Sequence, residues 1–144
     1  NYEGPSPEIN LFNEKNNGLA IKKLISNKLL NSVHDVSSGG IIVALSEMCI
    51  SGNLGAQIKI PQNKINYHEY LFGEDQSRYL VEVKKENKDK VSYILKENGV
   101  YFEKIGETQK DSLDIGKDLS MKIDKLSKLN SFWFKNYFKE DYES

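Results

Sequence analysis

The sequence predicts an α+β domain in which helices pack on a mixed sheet. Three observations carry that prediction. Stretches of helical apolar periodicity alternate with short runs of period two along the chain. Glycine-bearing joints separate them, at SSGG (37–40), at Gly52 and Gly55, and at Asn98–Gly99. There is no internal repeat and no low-complexity segment.

The elements follow in order. Residues 1–13 carry Gly4, Pro5 and Pro7 and lack an initiator methionine, so they read as a linker from an upstream domain. Residues 14–144 then form a single domain. EKNNGLAIKKLISNKLLN (14–31) has the spacing of an amphipathic helix, with Ile21, Leu24, Ile25 and Leu29 facing inward. A short strand over 33–36 runs into SSGG. The helix that follows, 40–50, is apolar nearly all round and should be buried on most sides. Ala56–Ile60 alternates as a strand does, and Pro61 closes it. A helix or turn over 67–71 leads to LFGEDQ, and RYLVEV (78–83) is the clearest strand. Residues 86–98 read as a helix with Val91, Ile94 and Leu95 inward, stopped at Asn98–Gly99. Val100–Ile105 and Leu113–Ile115 are further strand candidates. Asp124 is placed to cap a last helix, along one side of which lie Leu126, Leu129, Trp133 and Tyr137.

Composition removes several function classes. Twenty basic residues against 21 acidic ones leave a net charge of -1, which does not suit a nucleic-acid binder that relies on bulk positive charge. The longest apolar run, near residues 40–45, is too short to span a bilayer. The single cysteine, Cys49, has no partner for a disulfide or metal pair and reads as a reduced, buried thiol, which suits the cytoplasm. The aromatic cluster FWFKNYF (132–138) reads as a packing surface, directed at a domain outside this chain.

Two stretches carry chemistry. In VHDVSSGG, a helix N-terminus with two glycines lets a phosphate approach the backbone, and Ser37 and Ser38 add hydroxyl donors. Asp35, at the preceding strand end, is placed to hold a magnesium ion against that phosphate. The alternative is a tight turn with serine capping the helix. His34 reads as a hydrogen-bonded core residue and His68 as an exposed one. In LFGEDQSRYLVEV, Glu74, Asp75 and Gln76 stand at a strand mouth, where such groups bind ribose hydroxyls, amides or a metal. The alternative is a polar turn whose side chains cap neighbouring backbone, with Arg78 paired to Glu74 or Asp75.

Together these stretches resemble the last domain of the phosphoribosylformylglycinamidine synthase family (formylglycinamide ribonucleotide amidotransferase, synthetase subunit). The family pattern runs His-Asp-x-Ser-Asp-Gly-Gly, an apolar helix with Ala-Glu-Met, a Gly-Leu-Gly-Ala turn, then Leu-Phe-Gly-Glu-x-Gln-x-Arg. This chain supplies His34, Asp35, Ser37, Gly39, Gly40, Leu45, Glu47, Met48, Leu54–Ala56, Leu71–Glu74, Gln76 and Arg78. It departs at Ser38, where the family has aspartate. The resemblance covers residues 3–142 and is strongest over 32–83.

The resemblance implies a three-layer α/β/α domain like the C-terminal domain of aminoimidazole ribonucleotide synthetase. It implies a place in an ATP- and Mg-dependent ligase of purine biosynthesis. That ligase turns formylglycinamide ribonucleotide into the amidine with ammonia derived from glutamine. Asp35 would contact Mg, and Ser37, Gly39 and Gly40 the phosphates of an auxiliary ATP or ADP. Glu74 and Gln76 would form a turn symmetry-related to a substrate-binding one. No catalytic residue is expected here, because those lie in N-terminal-type domains absent from this chain, and alone it should be inactive. The implied partners are those domains, a glutaminase subunit or domain and a small bridging subunit. A scaffold role, or membership of another branch of the aminoimidazole ribonucleotide synthetase superfamily, are the alternatives.

Overall fold

The computed structural model describes residues 9–60, 66–117 and 119–140. They divide into two compact units: 9–45 with 66–104, and 46–60 with 105–140. Expectations that fall on the opening linker (1–8) and on Pro61 lie outside the described residues.

The first unit opens with α1 (Leu11–Ser26), three residues earlier than its periodicity suggests, because Asn10 caps it by accepting from the Asn13 N–H at 3.0 Å. The helix also ends earlier than expected. Lys28 adopts a left-handed φ of 54°, and the Leu29 N–H donates to the Leu24 carbonyl while the Lys28 N–H donates to that of Ile25. That pair of bonds is a Schellman stop made without glycine. It leaves Leu29 outside the helix yet folded back into the core with Ala20 and Leu24. Ile25, expected to face inward, is half exposed.

A two-stranded antiparallel ribbon follows, β1 (Ser32–Asp35) against β3 (Tyr79–Glu82), with Asp35 opposite Tyr79 and Ser32 opposite Glu82. Between them in sequence lie α2 (Gly40–Gly52), which begins in this unit, and α3 (Tyr67–Phe72). A 3₁₀ turn (Lys85–Asn87) leads into α4 (Lys88–Glu97), whose Val91 and Leu95 complete the core around Leu24. The Gly99 N–H and the Asn98 amide close α4 at the expected Asn-Gly stop.

The second unit is built on β2 (Gly55–Ile58), β4 (Gly106–Gln109), β5 (Ser112–Ile115) and β6 (Leu119–Lys122), in the order β4-β2-β5-β6. β2 and β5 are parallel and the other pairs antiparallel, so the expected mixed sheet is present, and the two-stranded ribbon of the first unit is a separate sheet. Leu113 and Ile115 are buried while Ser112 and Asp114 are less so, the period-two alternation of a one-sided strand. α5 (Ile123–Glu140) buries Ile123 against this sheet. Its expected apolar side is present, but Leu129, Trp133 and Tyr137 are exposed on it. Val100–Ile105 forms no strand; pairing starts at Gly106 instead. β6 has no counterpart among the strands the sequence suggests.

Polar bonding on the outer face of β5 centres on Asp114. Its carboxylate accepts from Ser120 Oγ at 2.5 Å, Gln109 Nε2 at 2.6 Å and Ser112 Oγ at 3.3 Å. These donors, Ser120 first, hold its pKa below the ordinary value of 3.8. A carboxyl depressed by folding stabilises the native state above its unfolded pKa, and the contribution disappears as pH falls through the folded pKa. Asp114→Asn is therefore expected to lose stability at neutral pH, with the gap to the parent closing on acidification. Urea midpoints measured from pH 7 down to pH ~2.5 check this; a gap that stays constant with pH would refute it.

Candidate functional site

The two stretches singled out in the sequence meet in the first unit. β1 delivers Asp35 and β3 delivers Tyr79 with Arg78 just ahead of it, because the ribbon register sets Asp35 opposite Tyr79 and lets the Val36 N–H donate to the Arg78 carbonyl at 2.8 Å. An open cleft of about 310 Å³ forms there, lined by Asp35, Ser37, Ser38, Glu74, Gln76 and Arg78 together with Glu14, Ser77 and Tyr79. Asp35, Ser37, Ser38, Glu74 and Gln76 are all exposed.

The start of α2 is shaped by two glycines. Gly39 and Gly40 have φ of 80° and 71°. A Cβ on Gly40 would lie 2.6 Å from the Leu71 carbonyl oxygen and 2.8 Å from that of Gly73. This crossing of backbones brings the LFGEDQ turn onto the first turn of α2. The Glu74 carboxylate then accepts from the Gly39 N–H at 2.7 Å, a charge-assisted cap provided by a residue 35 positions away. The Gly40 N–H donates to the Ser37 carbonyl at 3.0 Å. The sequence alone assigns the capping role to serine; a cap from a distant carboxylate has no local signature.

Arg78 fixes the turn from the other side. Its guanidinium donates to the Gly73 carbonyl and, through Nε, to the Asp75 carbonyl at 3.4 Å, with the Asp75 carboxylate 3.4 Å from Nη2. Of the two expected ion-pair partners, Asp75 is the one engaged. α3 anchors the same turn by burying Tyr70 and Leu71. From α1, Asn17 Nδ2 donates to the carbonyl of Ser77, which sits at φ 69°. Glu14 and Asn17 carry no signal in the sequence, since only tertiary packing brings α1 to this cleft. His34 is half-buried; Nδ1 lies 2.6 Å from the Asp35 carbonyl, so the proton must sit on Nδ1. His68 is exposed and stacks on Phe72. Cys49 is buried in the apolar α2, and burial pushes its thiol pKa up.

A Mg ion held here would rest on a single carboxylate and would take its other ligands from phosphate and water. Among the described residues no three His, Cys, Asp or Glu side chains cluster, while Mg commonly takes one or two carboxylates plus phosphate and water oxygens. Asp35, with a 70% exposed side chain, is such a carboxylate.

The sequence profile of a family described as "AIR synthase related protein, C-terminal domain" matches residues 2–117. The chain belongs to that family. It is 52% identical over 134 residues, 93% of the chain, to the phosphoribosylformylglycinamidine synthase subunit PurL of Pelagibacter ubique (strain HTCC1062). It is 38% identical over 135 residues, 94% of the chain, to the same subunit of Rhodopseudomonas palustris (strain HaA2). It spans 18% of the length of each of these relatives. Among solved structures, Thermotoga maritima PurL complexed with ATP superposes with a TM-score of 0.73, at 21% identity, over 87% of this chain and 23% of that one. The structure of PurLQS from the same organism gives 0.72 at 20% identity, over 83% and 22%. The α+β fold of this chain is thus that of an AIR synthase related C-terminal domain. No helix among the described residues is long and apolar enough to cross a membrane.

Proposed function

We propose that this AIR synthase related domain works as part of a phosphoribosylformylglycinamidine synthase subunit. The reaction is the ATP-dependent conversion of formylglycinamide ribonucleotide to the amidine, with ammonia from a glutaminase partner linked through a small bridging subunit. The observation that carries this reading is 52% identity to a PurL subunit over 93% of the chain. The T. maritima PurL structures described as complexes with FGAR, ATP, AMPPCP and ADP support the ligand classes. Catalytic residues belong to other domains of such a subunit.

In that setting the cleft is an auxiliary nucleotide corner. Asp35 would hold Mg, Ser37, Gly39 and Gly40 would face phosphate, and Glu74 and Gln76 would form the adjoining turn. Mg supplies charge neutralisation for the phosphates when bound. A second reading, a scaffold domain, is favoured by one contact. The Gly39 N–H that a phosphate would use already binds Glu74, so a phosphate there must displace that carboxylate.

The test is a chimera in which this chain replaces the aligned segment of the Pelagibacter PurL subunit. Turnover with ATP and ammonium salt is expected within about tenfold of the parent subunit, a factor worth about 1.4 kcal/mol in the barrier; loss of turnover by a folded chimera would overturn the family role. Mg-ADP titrated calorimetrically into the chimera should show a second site that Asp35→Ala removes. If the second site is missing, or survives the substitution, the cleft is scaffold.

A further inference from the structure

The cleft already holds an anion of its own at the backbone donor a phosphate would use. Glu74 Oε1 accepts from the Gly39 N–H at 2.7 Å. The chain on both sides of Glu74 is pinned. The Gly73 N–H donates to the Glu69 carbonyl at 2.9 Å, and the Gly73 carbonyl accepts from Arg78. Beyond it, the Ser77 carbonyl accepts from Asn17 at 2.9 Å. The Glu74 residue itself is exposed, and the bond to Gly39 is the one hydrogen bond its carboxylate makes among the described residues. Its side chain can therefore leave for water by a change of rotamer while the turn stays in place.

A carboxylate and a phosphate compete for the same donor, because both are drawn to an N–H at the start of a helix. The surroundings do nothing to favour the newcomer. Arg78 is the one basic side chain lining the cleft, and it is turned to the Gly73 and Asp75 carbonyls, while Glu14 and Asp35 add negative charge. We propose that Glu74 is a built-in competitor that keeps the phosphate corner closed, so that phosphate enters only by displacing it. This rests on the auxiliary-nucleotide reading of the cleft. Apparent affinity is then the intrinsic affinity scaled by the fraction of molecules in which Glu74 has swung away; a corner open in about one molecule in ten binds about tenfold more weakly. A competitor and a ligand therefore differ in sign. Removing a ligand weakens binding, whereas removing Glu74 strengthens it, even as α2 loses its cap.

Two measurements test this. In the 144-residue chain labelled with ¹⁵N-glycine, the Gly39 amide proton should move upfield in Glu74→Gln, as a charge-assisted bond is lost. An unmoved Gly39 signal would overturn the proposal without any nucleotide being present. Mg-ADP is then titrated calorimetrically into the PurL chimera, with and without substitution at residue 74. Glu74→Gln should tighten the Asp35-dependent second site about tenfold. Glu74→Asp keeps the charge but falls a methylene short of Gly39, so it should tighten the site as well. Tightening by Gln alone would point to general charge repulsion and overturn the gate. Unchanged or weaker binding at a site that Asp35→Ala still removes would also overturn it, and would leave the nucleotide reading standing. If neither the chimera nor its Glu74 variants show an Asp35-dependent second site, the reading and the gate fall together.

Discussion

Gly40→Ala is expected to destabilise the chain by about 3 kcal/mol or more, lowering the thermal midpoint by roughly 10 °C. Two costs combine. At φ 71° an L-residue is strained by about 1–2 kcal/mol. The added Cβ would also lie 2.6–2.8 Å from Leu71 O, Phe72 C and Gly73 O, all backbone atoms with no rotamer to retreat into. Gly99→Ala separates the two terms. Gly99 has a similar φ of 64°, yet nothing lies within 4 Å of its would-be Cβ, so only the strain should appear, about 1 kcal/mol. Thermal and urea unfolding of the two variants side by side would decide. Equal losses would mean that the α2–α3 crossing relaxes easily, and that Gly40 is kept for its backbone angle alone. Because the same crossing brings Glu74 to Gly39, the Gly40→Ala variant should also lose the ordered cleft.

That crossing marks where sequence reading succeeds and where it stops. The SSGG joint is legible, because paired glycines after a strand and before an apolar run leave few alternatives to a sharp turn. The partner of the joint is not. Glu74 reaches Gly39 across 35 residues, and its capping role depends on a backbone approach that only the fold defines. Asp35, Ser37, Glu74 and Gln76 are expected separately from two stretches and do line one cleft, while Glu14 lines it and Asn17 bonds to its Ser77 from a helix whose sequence marks only an amphipathic character.

The sheet shows the same division. RYLVEV and Leu113–Ile115 are recognisable from β-branched, alternating apolar residues, a pattern that reports burial on one face. β4 reads GETQ and has no such pattern. It is a strand because β2 offers an unpaired edge and because Gly106 admits the close approach: a Cβ there would stand 2.1 Å from the Gln57 carbonyl oxygen. The preceding VYFEKI is rich in β-branched and aromatic residues, yet Tyr101 is 84% exposed and no strand among the described residues pairs with it. Pairing overrides pattern in both cases.

Leu24→Ala is the second large effect, about 3–4 kcal/mol. Leu24 has no exposed surface and sits between Ala20 and Leu29 of its own segment and Val91 and Leu95 of α4. Removing its isobutyl group would leave a void that α4 cannot fill without breaking its own capped turn. The comparison is Ile25→Ala. Periodicity places both residues on the inner face, but the Schellman stop at Lys28 ends the helix one turn early and draws Leu29 inward in place of Ile25, which is 51% exposed. Ile25→Ala should therefore cost about 1 kcal/mol or less, roughly in proportion to the area it shields. Urea titration of both variants yields the ratio directly. Comparable losses would show that α1 in solution continues past Ser26 as its sequence period suggests. A loss several-fold larger for Leu24 would show that three consecutive residues, Asn27 to Leu29, decide which hydrophobic side chains make the core of the unit that holds the cleft.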